Sequence, residues 1–297
     1  MRYGFVVLHY KTFDVTSACV DSILALKNSN DAFIAVVDNH SENGSAEKLD
    51  EKYADNENIK VIFRSENDGF SRGNNCGYEY LKENVDPELF IISNNDVVFE
   101  DADFLNKLDK IYAEEEFCVL GVDTVNPYTA EHQNPIRQKA FTYEEISSQI
   151  SSHRKKLKNL SLLCFVKNVK NALLPKKLDI ALKKKMHSSA RSLDTSVRHE
   201  NVCLFGACQI FSRKFFEARP LPYYPLTRFY YEEDILAHNC EKYGLKTVYR
   251  PDTHILHMEN VSTRSSNKGL KAHMRFKFEN LIAAGEILKD YLKEEEK

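Results

Sequence analysis

Short apolar runs alternate with mixed, helix-like stretches over the first 125 residues or so. The runs "YGFVVLHY" (3–10), "FIAVVDN" (33–39), "IKVIFR" (59–64), "LFIISN" (89–94) and "CVLGV" (118–122) have the length and the β-branched, aromatic content of buried strands. Between them, "TSACVDSILALKN" carries Ile23, Leu24 and Leu26 behind Thr16 as a potential cap. "SAEKLDEKYA" follows a capping-box pattern from Ser45, with Lys48 one place off, and "CGYEYLKENV" is again helical. This alternation predicts an α/β protein with a mostly parallel sheet flanked by helices.

From about 130 to 200 the pattern changes. Residues 153–191 are studded with Lys and Arg and hold one acid, Asp179, with apolar positions at helical intervals broken at Pro175. Strand-like core returns at "VCLFGACQIFSRKFF", followed by a Pro and Tyr loop, an acidic run at 232–234, a strand near "LKTVY" and a helix from about 268 to 293. No repeat of 20 to 50 residues is visible.

At 297 residues, 42% hydrophobic and 11% aromatic, the chain can bury a sizeable core, which excludes wholesale disorder. The net charge of -3 hides the basic middle segment. Seven scattered cysteines form none of the close pairs of a zinc site or redox motif and read as reduced core residues. The N-terminal apolar run is too short for a signal peptide and no later stretch is long enough to span a bilayer, so a soluble, cytoplasmic protein is expected.

Polar residues at strand ends carry the candidate chemistry. Ligands of an open parallel sheet gather at the carboxyl edge of its strands. Asn94 and Asp96 end one strand there, one residue apart, and two oxygen-bearing groups so placed suit a hard divalent cation completed by phosphate oxygens. Asp38, beside Asn39 and Ser41, ends another and can accept the imide N–H of uracil or thymine. An Asx turn is the simpler reading of either stretch alone. Gly69, Gly73 and Gly77 recur every fourth residue at an expected loop-to-helix transition, where small residues let backbone approach a ligand and expose helix N-terminal amides. Neither a dinucleotide fingerprint nor a P-loop is present. Glu232, Glu233 and Asp234 follow the aromatic residues Phe229, Tyr230 and Tyr231; they suit either general-base chemistry or the N-terminal dipole of a helix.

Taken in order, "VVLHYKTFDVTSACVDSIL", "VVDNHS", "NDGFSRGNNCGY", "ISNNDVVF", "FGACQIFSRKFF", "YYEEDILAHNCEKYG" and "HILHMENVS" resemble glycosyltransferase family 2 along nearly the whole chain, except about 130 to 200. The resemblance implies the glycosyltransferase-A fold: a single Rossmann-like, mostly parallel mixed sheet flanked by helices. It also implies a nucleoside-diphosphate-sugar donor, Mn2+ or Mg2+, and inverting transfer to an acceptor hydroxyl. By the family's motifs, Asp38, Asn39, Asn67, Gly69, Gly73, Asn74 and Asn95 are expected to bind donor. Asp96, Asn94 and His257 are expected to hold metal, with Ser262 five residues beyond the histidine and His254 taken as structural. The family's Asp-x-Asp motif falls on Asn94–Asn95–Asp96, so Asn replaces its first Asp, as in a rhamnosyltransferase-like branch, and Asp96 is left as the main ligand. Asp234 is the expected catalytic base, with Glu233 next. Gly206 and Ala207 match a small-residue turn behind the acceptor.

The expected organisation is a nucleotide-sugar-binding half (1–125), a basic helical insert on the acceptor or membrane side (126–200), an acceptor-binding and catalytic half of the same domain (201–265), and a C-terminal helix (266–297). The basic amphipathic segment 153–191 suits either an anionic membrane surface or packing on the catalytic domain. The membrane reading makes the acceptor a lipid-linked glycan of a surface or capsular polysaccharide and the protein peripheral on the inner face. A second copy of the chain is a further expected partner; nucleic acid is not, since no recognition motif accompanies the charge. Two other functions fit less of the sequence: a non-catalytic nucleotide-sugar or glycan binding module of the same fold, and a nucleotidyltransferase, whose basic Gly-rich N-terminal loop is absent from "VVLHYKTFD".

Overall fold

A computed structural model of the chain describes residues 1–173, 193–259 and 269–295. Strand and helix alternate through β1 (Tyr3–His9), α1 (Phe13–Leu24), β2 (Ala32–Asp38), α2 (Ser45–Lys52), β3 (Ile59–Phe63), α3 (Phe70–Asn84) and β4 (Leu89–Asn94). β1 lies between β2 and β4 and is parallel to both, and β3 adds parallel to β2. Alternate residues of β1 serve opposite faces. Tyr3, Phe5 and Val7 pack with Cys19, Val20 and Ile23 of α1. Val6 packs with Tyr78 and Leu81 of α3. Helices on both faces explain why these strands read as continuous apolar runs.

The second half adds β5 (Val97–Val98), α4 (Phe104–Glu114), β6 (Val119–Asn126), β7 (Glu131–His132), α5 (Tyr143–Lys158), α6 (Leu160–Leu173), β8 (His199–Glu200), β9 (Cys208–Ser212), α7 (Arg213–Ala218), α8 (Glu232–Lys242), β10 (Thr247–His257) and α9 (Leu270–Glu295). The sheet order is β3-β2-β1-β4-β9-β6-β10-β5, with β7 on β6 and β8 on β10. β9 runs antiparallel to both β4 and β6, so strands from distant parts of the sequence interleave in one mixed sheet.

One connection bends this sheet. β4 and β5 are separated only by Asn95 and Asp96, yet β5, paired with β10, lies four places along the sheet from β4. Three residue steps reach about 11 Å at most. Four flat strand spacings would need about 19 Å. The sheet must therefore curl, and its two distant regions meet at residues 95 and 96.

A helical layer packs on the start of α8 through Tyr231 and Ile235. Ile146 and Ile150 of α5 pack on Ala284 and Leu288 of α9, and Leu160 and Cys164 of α6 pack on Phe278. α5 starts with a complete capping box, Thr142 accepting from the Glu145 N–H and the Glu145 carboxylate accepting from the Thr142 N–H. No helix among the described residues is long and apolar enough to cross a membrane.

The strand positions agree with the hydrophobic pattern, whereas several helix starts differ. α1 begins at Phe13, placing Thr16 inside it, where its hydroxyl serves His9 and Asn95 instead of a cap. The helix at 45 has Gly44 at its N-cap, and Ser45 bonds His9. The third helix begins at Phe70, not near Cys76, so Gly73 and Gly77 lie within it. A Cβ on Gly73 would strike Leu8, and one on Gly77 would strike Val6 and Val37. Those two glycines seat α3 on the sheet, and only Gly69, with φ 86°, remains at the loop-to-helix junction. In the basic segment, α6 ends at Leu173; Pro175 and residues 174–192 lie outside the described residues.

Candidate active site

A cleft of about 740 Å³ opens at the carboxyl ends of the strands and is bordered by the seam at 94–96, the turn at 205–207, the loop at 228–231 and the start of α8. The loop at 228–231 is held by α3. Phe70 N–H donates to Arg228 O at 2.7 Å, Ser71 and Thr227 share a hydroxyl bond of 2.7 Å, and Asn75 exchanges two hydrogen bonds with the Tyr223 backbone. Gly69 is needed because a Cβ there would overlap the Arg228 backbone. The "NDGFSRGNN" stretch thus anchors the wall opposite the sheet.

At the seam, Asp96 and His257 face each other, Oδ1 to Nε2, at 3.4 Å. They are 8% and 6% exposed. β5 pairs Val97 with His257, and the Met258 N–H donates to Asp96 O, so the curl itself sets this meeting. Gln133 donates through Nε2 to Glu259 at 2.7 Å, which leaves its Oε1 to accept from His257 Nδ1 at 2.8 Å. With the proton on Nδ1, Nε2 presents a lone pair to the Asp96 carboxylate. Two acceptors that close repel unless a cation or a proton lies between them.

This pair fits a divalent cation. One carboxylate and one imidazole, the latter oriented by an outer partner, form a donor set suited to Mn2+. Among the described residues no group of three or more His, Cys, Asp and Glu could hold a metal ion, so a cation here would need further oxygens, such as those of a diphosphate, water or the Asn94 amide. Asn94 lines the cleft beside the pair. Asn95 also lines it, but its amide donates to Thr12 and Thr16 at 3.0 and 2.8 Å and ties the seam to α1.

Across the cleft, Tyr230 and Tyr231 both adopt left-handed backbone, φ 74° and 63°, immediately before α8. This conformation is costly for bulky residues and aims the following acids into the cleft. The three acids have different surroundings. Asp234 is 2% exposed; its Oδ1 forms an ion pair with Arg137 and accepts the Phe141 N–H at 2.9 Å. Arg137 also stacks on Phe141, 3.9 Å from the ring centroid. Glu233 is half-buried, accepts the Gly206 N–H on Oε1 at 3.2 Å, and makes no hydrogen bond through Oε2 among the described residues. Glu232 is buried with Oε1 unpartnered. Burial raises the pKa of both glutamates, and the close negative charges of the run add to the rise.

The expected donor residues divide. Asn39 and Asn67 line the cleft and are bonded to each other, Nδ2 to Oδ1, at 3.2 Å. Gly69 accepts from Asn39 through its carbonyl. Asn74 is fully buried within α3, its amide donating to Phe70 O, and Gly73 packs on β1, so neither lines the cleft. Asp38 is also outside the lining, with both carboxylate oxygens accepting the Ser41 N–H at 3.1 Å. His254 reaches Glu100 at 3.0 Å away from the seam, and Ser262 lies outside the described residues. Five participants escaped the sequence reading: Tyr10, Arg137, Phe141 and Phe276 in the lining, and Gln133 behind His257. Tyr10 stands at the end of a strand, a usable signal; the others are single residues in unremarkable sequence, three of them in the segment outside the resemblance. The seven cysteines are free thiols, and burial pushes Cys203 and Cys208 well above the usual range, consistent with a packing role.

The fold has known counterparts. GalNAc-T7, solved with UDP, GalNAc and Mn2+, superposes with TM-score 0.57 at 14% identity over 86% of this chain, which spans 44% of the GalNAc-T7 chain. The mannosyltransferase PcManGT of Pyrobaculum calidifontis, solved with GDP-Man and Mn2+, gives 0.54 at 12% identity over 97% of this chain and 69% of that one. S. aureus TarS 1–349 with UDP-GlcNAc gives 0.54 at 13% identity over 98% and 70%. A sequence search of curated proteins finds no match. The model described as Glycosyl transferase family 2 matches residues 5–182. With that match over more than half of its length and this curled mixed sheet, the chain belongs to glycosyltransferase family 2 and has the glycosyltransferase-A fold.

Proposed function

We propose that the protein transfers a sugar from a nucleoside-diphosphate donor to an acceptor hydroxyl with inversion, using Glu233 as the base. The observation that carries this reading is the cleft that sets the Asp96–His257 pair on one wall and the acids of α8 on another. Its volume lies within the range of small-molecule sites. The three solved counterparts carry nucleotide-sugar components, and two of them Mn2+.

Tyr10, Asn39 and Asn67, near the ends of β1 and β2, form the end suited to the nucleoside; Asp38 supports them by fixing the turn at Ser41. A UDP- or dTDP-sugar is the proposed donor, dTDP-rhamnose among them. A divalent cation, Mn2+ or Mg2+, held by Asp96 and His257 would neutralise charge on the diphosphate. Asn94 adds a neutral oxygen beside them.

Glu233 is preferred over Asp234 on geometry. A base must reach the acceptor hydroxyl and hold a proton afterwards. Asp234 is ion-paired to Arg137 and also accepts the Phe141 N–H, whereas Glu233 lines the cleft, makes no ion pair among the described residues and has a raised pKa. The acceptor proton moves to Glu233 Oε2 as the acceptor oxygen bonds the anomeric carbon and the nucleoside diphosphate departs. Asp234 and Arg137 hold the start of α8 against the segment at 137–141. The aromatic wall of Phe141, Phe229 and Phe276 suits the apolar faces of an acceptor sugar, and the proposed acceptor is a lipid-linked glycan of a surface polysaccharide.

Titration with UDP-, dTDP- and GDP-sugars, with and without Mn2+ or Mg2+, tests the reading. Cation-dependent binding of one donor and release of its nucleoside diphosphate are expected. Release of pyrophosphate, or no donor bound, would overturn it.

A further inference from the structure

We infer that α6 is a docking surface for an anionic lipid bilayer. Its inner side packs on α9 through Leu160 and Cys164. On the other side Leu162, Phe165, Val166 and Val169 are 62, 65, 56 and 38% exposed. Their spacing of three, four and seven residues places them on one stripe of the helix. A helix that buries one stripe and bares a second has two apolar faces, and a contiguous bare face of this kind marks an interaction site.

Charge selects the occupant. Residues 146–173 contain six Lys or Arg and no Asp or Glu. Of these, Arg154 pairs with Glu286, while Lys155, Lys156 and Lys158 at the end of α5 and Lys167 on α6 itself are exposed. A bilayer receives both features, apolar side chains at the acyl boundary and lysines among anionic headgroups. A second copy would bring the same lysines against each other across a two-fold axis, which like charge disfavours. The docking face is also joined to the cleft, because α9, on which α6 packs, sends Phe276 into the cleft wall. The inference rests on the exposed stripe and its charge, not on the assignment of glycosyl transfer, and its test needs no substrate.

Co-sedimentation of the full chain with vesicles provides that test. Binding is expected with phosphatidylcholine containing phosphatidylglycerol, weak with phosphatidylcholine alone, and reduced by salt. Phe165→Asp with Val166→Asp should lower partition at least about tenfold while circular dichroism is unchanged. The chain has no Trp, so Phe165→Trp supplies a single reporter whose emission should shift to the blue on anionic vesicles. No partition, equal partition of the double variant, an unmoved Trp emission, or a wild-type dimer that the double variant dissolves would each overturn the inference.

Discussion

Asp234 receives the guanidinium of Arg137 and the N–H of Phe141 on one oxygen, Oδ1, and so links α8 to a segment 97 residues earlier. Removing Arg137 would strand a buried carboxylate beside two more acids. Arg137→Ala should lower stability by about 3–5 kcal/mol, and urea unfolding with an unchanged slope measures it. A loss below 1 kcal/mol would show that the pair is not needed to hold α8.

Glu233 should behave in the opposite way. Glu233→Gln keeps size and hydrogen-bonding capacity, so stability should stay within about 0.5 kcal/mol while kcat falls about 10²–10⁴-fold and donor affinity holds. If instead Asp234→Asn abolishes turnover without changing stability, the base is Asp234.

Gly206→Ala gives a steric check on the same carboxylate. A Cβ there would lie 2.8 Å from Glu233 Oε1 and must displace it. The expected result is a kcat lower by about tenfold or more, with donor KM little changed. Full activity would mean that the position of Glu233 is not set by this turn.

The Gln133–His257 bond predicts an effect on cation affinity from outside the ligand pair. Gln133→Ala should weaken Mn2+ binding, measured calorimetrically with nucleoside diphosphate present, by about 10–100-fold. Asp96→Ala should remove it. Unchanged affinity in both variants would place the cation elsewhere.

His9 predicts a pH dependence of stability. It is fully buried between Thr16 and Ser45, and burial lowers its pKa to about 4. Unfolded, it titrates near 6.5. Between these values the unfolded chain binds the extra proton, so the contribution of neutral His9 is present above about 6.5 and is lost as pH falls towards 4, by about 3 kcal/mol. His9→Gln should flatten this slope in unfolding measured from pH 7 to 4.5, where an unaltered slope would assign it to other groups.

The longer strands were legible because helices on both faces require unbroken apolar runs, which their β-branched and aromatic content set apart from buried helix; the two-residue strands β5, β7 and β8 carry no such run. Asn94, Asp96 and His257, named through the family resemblance, do share one cleft, with Asp96 and His257 3.4 Å apart. The different surroundings of Glu233 and Asp234 were not legible, because they depend on Arg137, a partner 97 residues away in sequence. Asp38 and Gly73 lie outside the cleft lining, and their local roles, a hydrogen bond to Ser41 and a close seat on Leu8, use residue types that ligand contacts also favour. Helix starts shifted where Thr16 and Ser45, good caps by type, were drawn instead to a buried histidine.

If a cation bridges Asp96 and His257, the two-residue passage from β4 to β5 would couple ion capture to chain folding. Asp96 and His257 are brought together by the curl of the sheet, so a cation that bridged them would act as a removable cross-link between the first and last thirds of the polypeptide. Saturating such a link a hundredfold above its dissociation constant would add about 2.7 kcal/mol to the folded state. Chelation would loosen the whole catalytic body along that seam.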